Sequence, residues 1–158
     1  MRASRRIKAI ALDFDGVLTD GAIWWGPEGQ EWKKLHFRDI MGVSLGTKAG
    51  LIFGIISGEN SPLVDRYAAK MGIQHVFKGI KDKASALQSF ATNIDAELWE
   101  IAYMGDDVND LEAMRLPGIA AVPLDAHPKL LAIASFRSQY PGGAGAVREL
   151  VDFLLRDR

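Results

Sequence analysis

Ile7-Lys8-Ala9-Ile10-Ala11-Leu12-Asp13-Phe14-Asp15-Gly16-Val17-Leu18-Thr19-Asp20-Gly21 joins an apolar run to two aspartates one residue apart. Its first part, Ile7 to Leu12, shows little alternation of apolar and polar side chains, as expected of a strand covered on both faces in a parallel sheet. Leu51 to Ile56 and Glu100 to Met104 read in the same way. Between these runs the period becomes helical. Val64, Tyr67, Ala68 and Met71 fall at i, i+3, i+4 and i+7, and Leu87, Phe90, Ala91 and Ile94 repeat the spacing, as do Val147, Leu150, Val151 and Leu154. Strands alternating with such helices predict an α/β fold, a doubly wound, Rossmann-like parallel sheet. Ser61-Pro62 marks a helix start, with serine at the cap and proline at the first helical position. No repeat, linker or low-complexity stretch interrupts the chain, so residues 1–158 are expected to form a single domain.

Composition narrows the class of function. The chain has 158 residues, 48% hydrophobic and 25% charged, an ordinary globular balance. Lys and Arg number 19 against 20 Asp and Glu, which argues against a nucleic-acid binder acting through bulk positive charge. Any phosphate site must be local. There are no cysteines, so disulfide scaffolds, thiolate zinc sites and cysteine nucleophiles are excluded together. No apolar stretch approaches the roughly 20 residues of a membrane span, and the first six residues read as a frayed basic tail. A soluble, cytoplasmic protein is expected.

One segment breaks the alternation. Ala22 to Trp25 and Glu31 to His36 flank Gly26-Pro27-Glu28-Gly29-Gln30 and predict a β-hairpin inserted after the first strand. Trp24 and Trp25 are adjacent, so along a strand they point to opposite faces, and one body cannot easily cover both. The hairpin, residues 22–36, is therefore expected to bury part of its surface against another subunit. The alternative is one tryptophan on the core and one tolerated at the surface.

The candidate chemistry lies where strands end. In open α/β sheets ligands sit at the carboxyl ends of the strands, which places Asp13 and Asp15 at a site with Gly16 turning the backbone away. Two carboxylates so close stay ionised only beside a cation, and oxygen ligands select a hard ion such as Mg2+. Ser57-Gly58 follows the second run, with a hydroxyl and backbone N-H groups suited to a phosphoryl oxygen. Lys83 opens a helix, a position the helix dipole disfavours for a cation, which lends weight to a functional reason. Gly105-Asp106-Asp107-Val108-Asn109-Asp110 is a further acidic cluster beyond a strand end. Each piece has a structural alternative: a turn for Asp15 or Ser57, solvation for Lys83, a helix cap for Asp107 or Asn109. His36, His75 and His127 lack metal-site spacing and read as packing or capping residues, and Met41, Met71, Met104 and Met114 as core filler.

In order and spacing, these four motifs resemble those of the haloacid dehalogenase superfamily of phosphotransferases over nearly the whole chain. The resemblance implies that Asp13 is the nucleophile forming an aspartyl-phosphate, and that Asp15 is the acid for the leaving oxygen and then the base for water. It implies Mg2+ held by Asp13, the backbone carbonyl of Asp15 and Asp106, with Asp107 or Asp110 acting through water or behind the ligands. Ser57, Gly58 and Lys83 would bind the transferring phosphoryl group. Only the hairpin and one helix separate Gly16 from Ser57, and only a helix and a short strand separate Gly58 from Lys83, so no cap domain is expected.

The stretch Asp13 to Gly21, the segment Gly29-Gln30-Glu31-Trp32-Lys33-Lys34 and the tail Gly142-Gly143-Ala144-Gly145-Ala146-Val147-Arg148-Glu149 are similar to the capless phosphatases of 3-deoxy-ulosonic acid phosphates. That family takes 3-deoxy-D-manno-octulosonate 8-phosphate or 2-keto-3-deoxynononate 9-phosphate. The resemblance implies a homotetramer built through the hairpin, with neighbouring subunits closing the site. The substrate is then a small sugar-acid phosphate, with no nucleic acid or membrane as partner. Its carboxylate calls for cations away from the metal, and Lys70, Arg66, Arg137 and Arg148 are candidates, although surface solvation is the default for each. Glu59 after Ser57-Gly58, followed by Lys70, resembles the nine-carbon enzymes, whereas Tyr67 departs from the basic residue that pattern carries. Three rivals remain: a non-catalytic oligomerisation module derived from the family, a response-regulator receiver and a phosphomutase. The second should phosphorylate an aspartate ending a middle strand, where Ser57 stands; the third normally needs a cap.

Overall fold

The computed structural model describes residues 6–156; residues 1–5 of the expected basic tail, and residues 157–158, lie outside it. In chain order, β1 (Ala9–Leu12) leads to a hairpin of β2 (Trp24–Trp25) and β3 (Glu31–Trp32), then α1 (Phe37–Lys48). β4 (Ile52–Ile56), α2 (Pro62–Met71), β5 (His75–Phe77) and α3 (Lys83–Asn93) follow. The rest is β6 (Ile101–Met104), β7 (Ile119–Val122), α4 (Pro128–Leu131), β8 (Phe136–Arg137) and α5 (Ala146–Leu155). Six of the strands form one parallel sheet in the order β5-β4-β1-β6-β7-β8, so the chain winds outward from β1 in both directions.

Alternate residues of β1 feed two cores. Ile10 and Leu12 pack with Val43 of α1, Val64 of α2 and Val147, Leu150 and Leu154 of α5. Ala9 and Ala11 face the other way, towards Leu87 and Phe90 of α3 and Leu130 of α4. Both faces are covered, which is why the strand sequence does not alternate in polarity. Of the anticipated helical stripes, Val64/Tyr67/Ala68, Leu87/Phe90/Ala91 and Val147/Leu150/Val151/Leu154 are buried, whereas Met71 and Ile94, the last members of the first two, are half-buried. Ser61 caps α2 by accepting from the Leu63 N-H at 3.2 Å, with Pro62 at the first helical position.

Several expectations are corrected. The strand expected from residue 7 begins at Ala9, and the one expected from Glu100 begins at Ile101, because Leu98–Glu100 forms a 3-10 turn. The hairpin pairs only Trp24 with Trp32 and Trp25 with Glu31, far less than the arms 22–25 and 31–36, beyond which a lone bridge joins Thr19 to Leu35. No third strand extends it among the described residues. Neither tryptophan packs on the core: Trp24 is 69% exposed and Trp25 77%. Met41 is exposed as well, whereas Met104 and Met114 are buried. His36 and His127 cap α1 and α4, and His75 meets the Phe90 ring edge-on at 5.3 Å, in line with structural roles.

Candidate active site

The loops leaving β1, β4 and β6 meet at the carboxyl end of the sheet around a cavity of 260 Å³. Asp13, Asp15, Ser57, Gly58, Glu59, Asp106 and Asp107 line it, together with Gly21 and Asn109. Asp13 continues the ladder of β1, its N-H donating to the Met104 carbonyl at 3.0 Å. Its carboxylate accepts from the Phe14 N-H at 2.7 Å and meets Lys83 Nζ at 3.0 Å. Gly16, at φ +82°, turns the chain so closely past the acidic loop that a Cβ there would lie 1.9 Å from Asp106 Oδ2. The glycine-rich tail backs this turn: a Cβ on Gly142 would fall 1.8 Å from the Gly16 carbonyl oxygen.

Lys83 reaches the site from beneath. It is the first residue of α3, behind its cap Asp82, and its side chain is buried between Asp13 and Asp110 Oδ1, the latter at 2.7 Å. Burial alone would lower its pKa, but the two carboxylates outweigh that and hold it above the ordinary lysine value. Asp110 is fully buried and organises the loop. It accepts the Tyr103 hydroxyl at 2.6 Å and the Asp106 N-H at 3.0 Å, besides the lysine.

Oxygens of Asp13, Asp106 and Asp110 lie within 4.8 Å of one another. Burial pushes the Asp13 carboxyl well up, the charge of Asp110 adds to this, and Lys83 opposes it. Burial and then Asp110 push Asp106 up to about 7. Three carboxylates thus share a single ammonium, and the uncompensated charge and oxygen-only donor set suit a hard divalent ion.

Asp15 turns away from this trio. Its Oδ2 meets Lys33 Nζ from the hairpin at 2.9 Å, and its Oδ1 accepts the Thr19 hydroxyl at 3.3 Å. Ser57 is buried, and its hydroxyl accepts from the Glu59 N-H at 3.3 Å. The structure does not bring Lys70 to the cavity. It lines a separate one of 330 Å³ under the hairpin, with Arg66, Tyr67 and Lys33. Tyr67 is a core residue, edge-on to Phe14 at 5.9 Å, and its buried hydroxyl has no hydrogen-bond partner among the described residues. Arg137 lies exposed on β8, and Arg148 pairs with Asp152. Lys33, Thr19 and Tyr103 were missed as members of the site. A lysine two residues after the hairpin glutamate, set between Trp32 and a second lysine, gave only the faint signal of one charge in a basic pair.

The haloacid dehalogenase-like hydrolase family matches residues 39–149. A curated relative, 3-deoxy-D-manno-octulosonate 8-phosphate phosphatase from Escherichia coli strain B, is 35% identical over 98% of this chain and 82% of its own length. Among solved structures, the 3-deoxy-D-manno-octulosonate 8-phosphate phosphatase from Moraxella catarrhalis, in complex with magnesium ion, phosphate ion and KDO, superposes with a TM-score of 0.96 at 35% identity. That match covers 99% of this chain and 90% of the other. The cobalt-bound deoxy-D-mannose-octulosonate 8-phosphate phosphatase from Haemophilus influenzae gives 0.95 at 31% identity, covering 98% and 91%. With the sheet order, the converging acidic loops and the uncapped cavity, these matches show that the chain belongs to the haloacid dehalogenase-like hydrolases, as a capless phosphatase.

Proposed function

We propose that the protein hydrolyses the phosphate monoester of a 3-deoxy-2-keto sugar acid, with a divalent cation, Mg2+, bound by the carboxylates of Asp13 and Asp106 and the backbone carbonyl of Asp15. The observation that carries the reading is Asp13 itself, buried beside Lys83 and Asp106 yet open to a cavity that Ser57 and Gly58 share. The bound ion supplies charge neutralisation, keeping the nucleophile ionised and offsetting the charge of the phosphoryl oxygens.

Asp13 attacks phosphorus and forms the aspartyl-phosphate, while Asp15 gives its proton to the departing sugar oxygen. Asp15, now a carboxylate, takes a proton from the water that hydrolyses the acyl phosphate, which restores both groups. Ser57, the Gly58 backbone and Lys83 hold the phosphoryl oxygens, and Asp110 keeps Lys83 and the acidic loop in place. Asp107 acts at the rim, through water. Residues 1–158 act as one catalytic domain, assembled as a homotetramer through the hairpin 22–36, whose tryptophans are otherwise left in solvent. Glu59 at the cavity mouth and Lys70 on α2 select the sugar acid, the lysine by reaching a neighbouring copy's site rather than its own.

The eight-carbon ester, 3-deoxy-D-manno-octulosonate 8-phosphate, is the first substrate, on the names of the relatives. A second reading, the nine-carbon 2-keto-3-deoxynononate 9-phosphate, is favoured by Glu59 lining the cavity. Phosphate release from both esters, with and without chelator, tests the proposal. The expected result is turnover that chelation abolishes and Mg2+ restores, with the higher kcat/KM naming the sugar. Undiminished turnover in chelator, or none with either ester, overturns it; a folded, oligomeric but inert protein would favour the non-catalytic module.

A further inference from the structure

We propose that Lys33, carried by the hairpin, is a positioning residue that fixes the carboxyl of Asp15 for proton delivery to the leaving oxygen, a role that rests on the reading of Asp15 as the acid. The lysine lies 18 residues beyond Asp15 in sequence, and its side chain is 2% exposed. Lysine stems commonly lie along apolar surface while the ammonium reaches water. Here the ammonium is enclosed instead, 2.9 Å from Asp15 Oδ2, 3.4 Å from Glu31 Oε1 and 5.7 Å from the centre of the Phe14 ring.

Glu31 is fastened in turn. Its Oε1 accepts the Ser61 hydroxyl at the start of α2 at 3.3 Å, and its Oε2 accepts the Trp25 indole N-H at 3.2 Å. A continuous chain of polar contacts therefore runs from the exposed face of the hairpin to the acid. Since Thr19 occupies the other oxygen of Asp15, the carboxyl is held from two sides. Misplacing a reacting group by about 1 Å can slow a reaction on the order of 100-fold. In the proposed step the P–O bond to the sugar breaks as the bond from Asp13 forms, and the proton passes from Asp15 to the sugar oxygen. The carboxylate left behind is the species that the ammonium pairs with.

The test is the dependence on leaving group. p-Nitrophenolate departs without a proton, whereas a sugar alkoxide does not, and kcat/KM reports only the steps through transfer to Asp13. Wild-type, Lys33→Met and Lys33→Gln proteins are assayed with p-nitrophenyl phosphate and with whichever sugar-acid phosphate the wild type turns over faster. The expected result is a loss of about 100-fold in kcat/KM on the sugar ester and under about 10-fold on the aryl ester. Equal losses on both esters would mean a purely structural hairpin anchor, and no loss on the sugar ester would mean no role; either overturns the inference. Lys33→Gln keeps a polar side chain in the enclosed space and is read by the same ratio if Lys33→Met does not fold. Absence of wild-type turnover would instead overturn the proposed function.

Discussion

Asp13 is asked to carry a negative charge at a place where burial and two neighbouring aspartates oppose it. Asp13→Asn is expected to abolish turnover, measured as phosphate release, while the circular dichroism spectrum stays that of the wild type. Asp106 shows the same tension as a pH dependence. Its folded pKa, about 7, lies above the unfolded carboxylate value, so folding takes up a proton between the two, and stability present at low pH is lost as pH rises towards 7. Asp106→Asn should therefore raise the melting temperature of the metal-free protein more at pH 8 than at pH 5, by a few degrees, while weakening Mg2+ binding measured by calorimetry. Tyr67→Phe removes a buried hydroxyl without a partner among the described residues and should stabilise by about 1 kcal/mol in urea unfolding. At this scale Asp13, Asp15, Ser57 and Asp106 were legible because strand ends are where such a sheet places its chemistry. Lys33 and Tyr103 were not, since one arrives from a distant hairpin and the other reads as an ordinary core aromatic within β6.

Between elements, the closest helix partnership is fixed by a residue with no part in the cavity. Asp39, in the first turn of α1, is buried and accepts the Gly145 N-H at 3.2 Å and the Arg148 N-H at 3.0 Å, so one helix caps the start of another. Burial raises its pKa, and these two N-H groups oppose the shift. Asp39→Ala leaves the first N-H groups of α5 without acceptors and should cost about 1–3 kcal/mol, read as a lower urea midpoint with an unchanged slope. The helical period of α2, α3 and α5 revealed those elements directly. β7, with two alanines among four residues, and the two-residue β8 carry too little pattern to be told from loops, although their backbone pairing completes the sheet.

Over the whole molecule, seven of the exposed large apolar side chains fall in one stretch of chain, Ile23, Trp24, Trp25 and Trp32 on the hairpin, Leu35 beside it and Phe37 and Met41 on α1, while Ile52, Trp99, Val108, Leu124, Ile133 and Tyr140 are exposed elsewhere. The adjacency of two tryptophans already signalled an uncovered face, but not that both would stand clear of the core. Trp24→Asp combined with Trp25→Asp is expected to convert the proposed tetramer to smaller species in light scattering. No helix among the described residues is long and apolar enough to cross a membrane. The central place of β1 has a further consequence. With hydrogen-bonded neighbours on both sides and helices over both faces, its amides can meet solvent only when the sheet comes apart. In deuterium exchange they should be the last to label, at the rate of global unfolding, while the hairpin tip labels early. The backbone that presents Asp13 to the cavity then keeps its place through every fluctuation short of losing the fold.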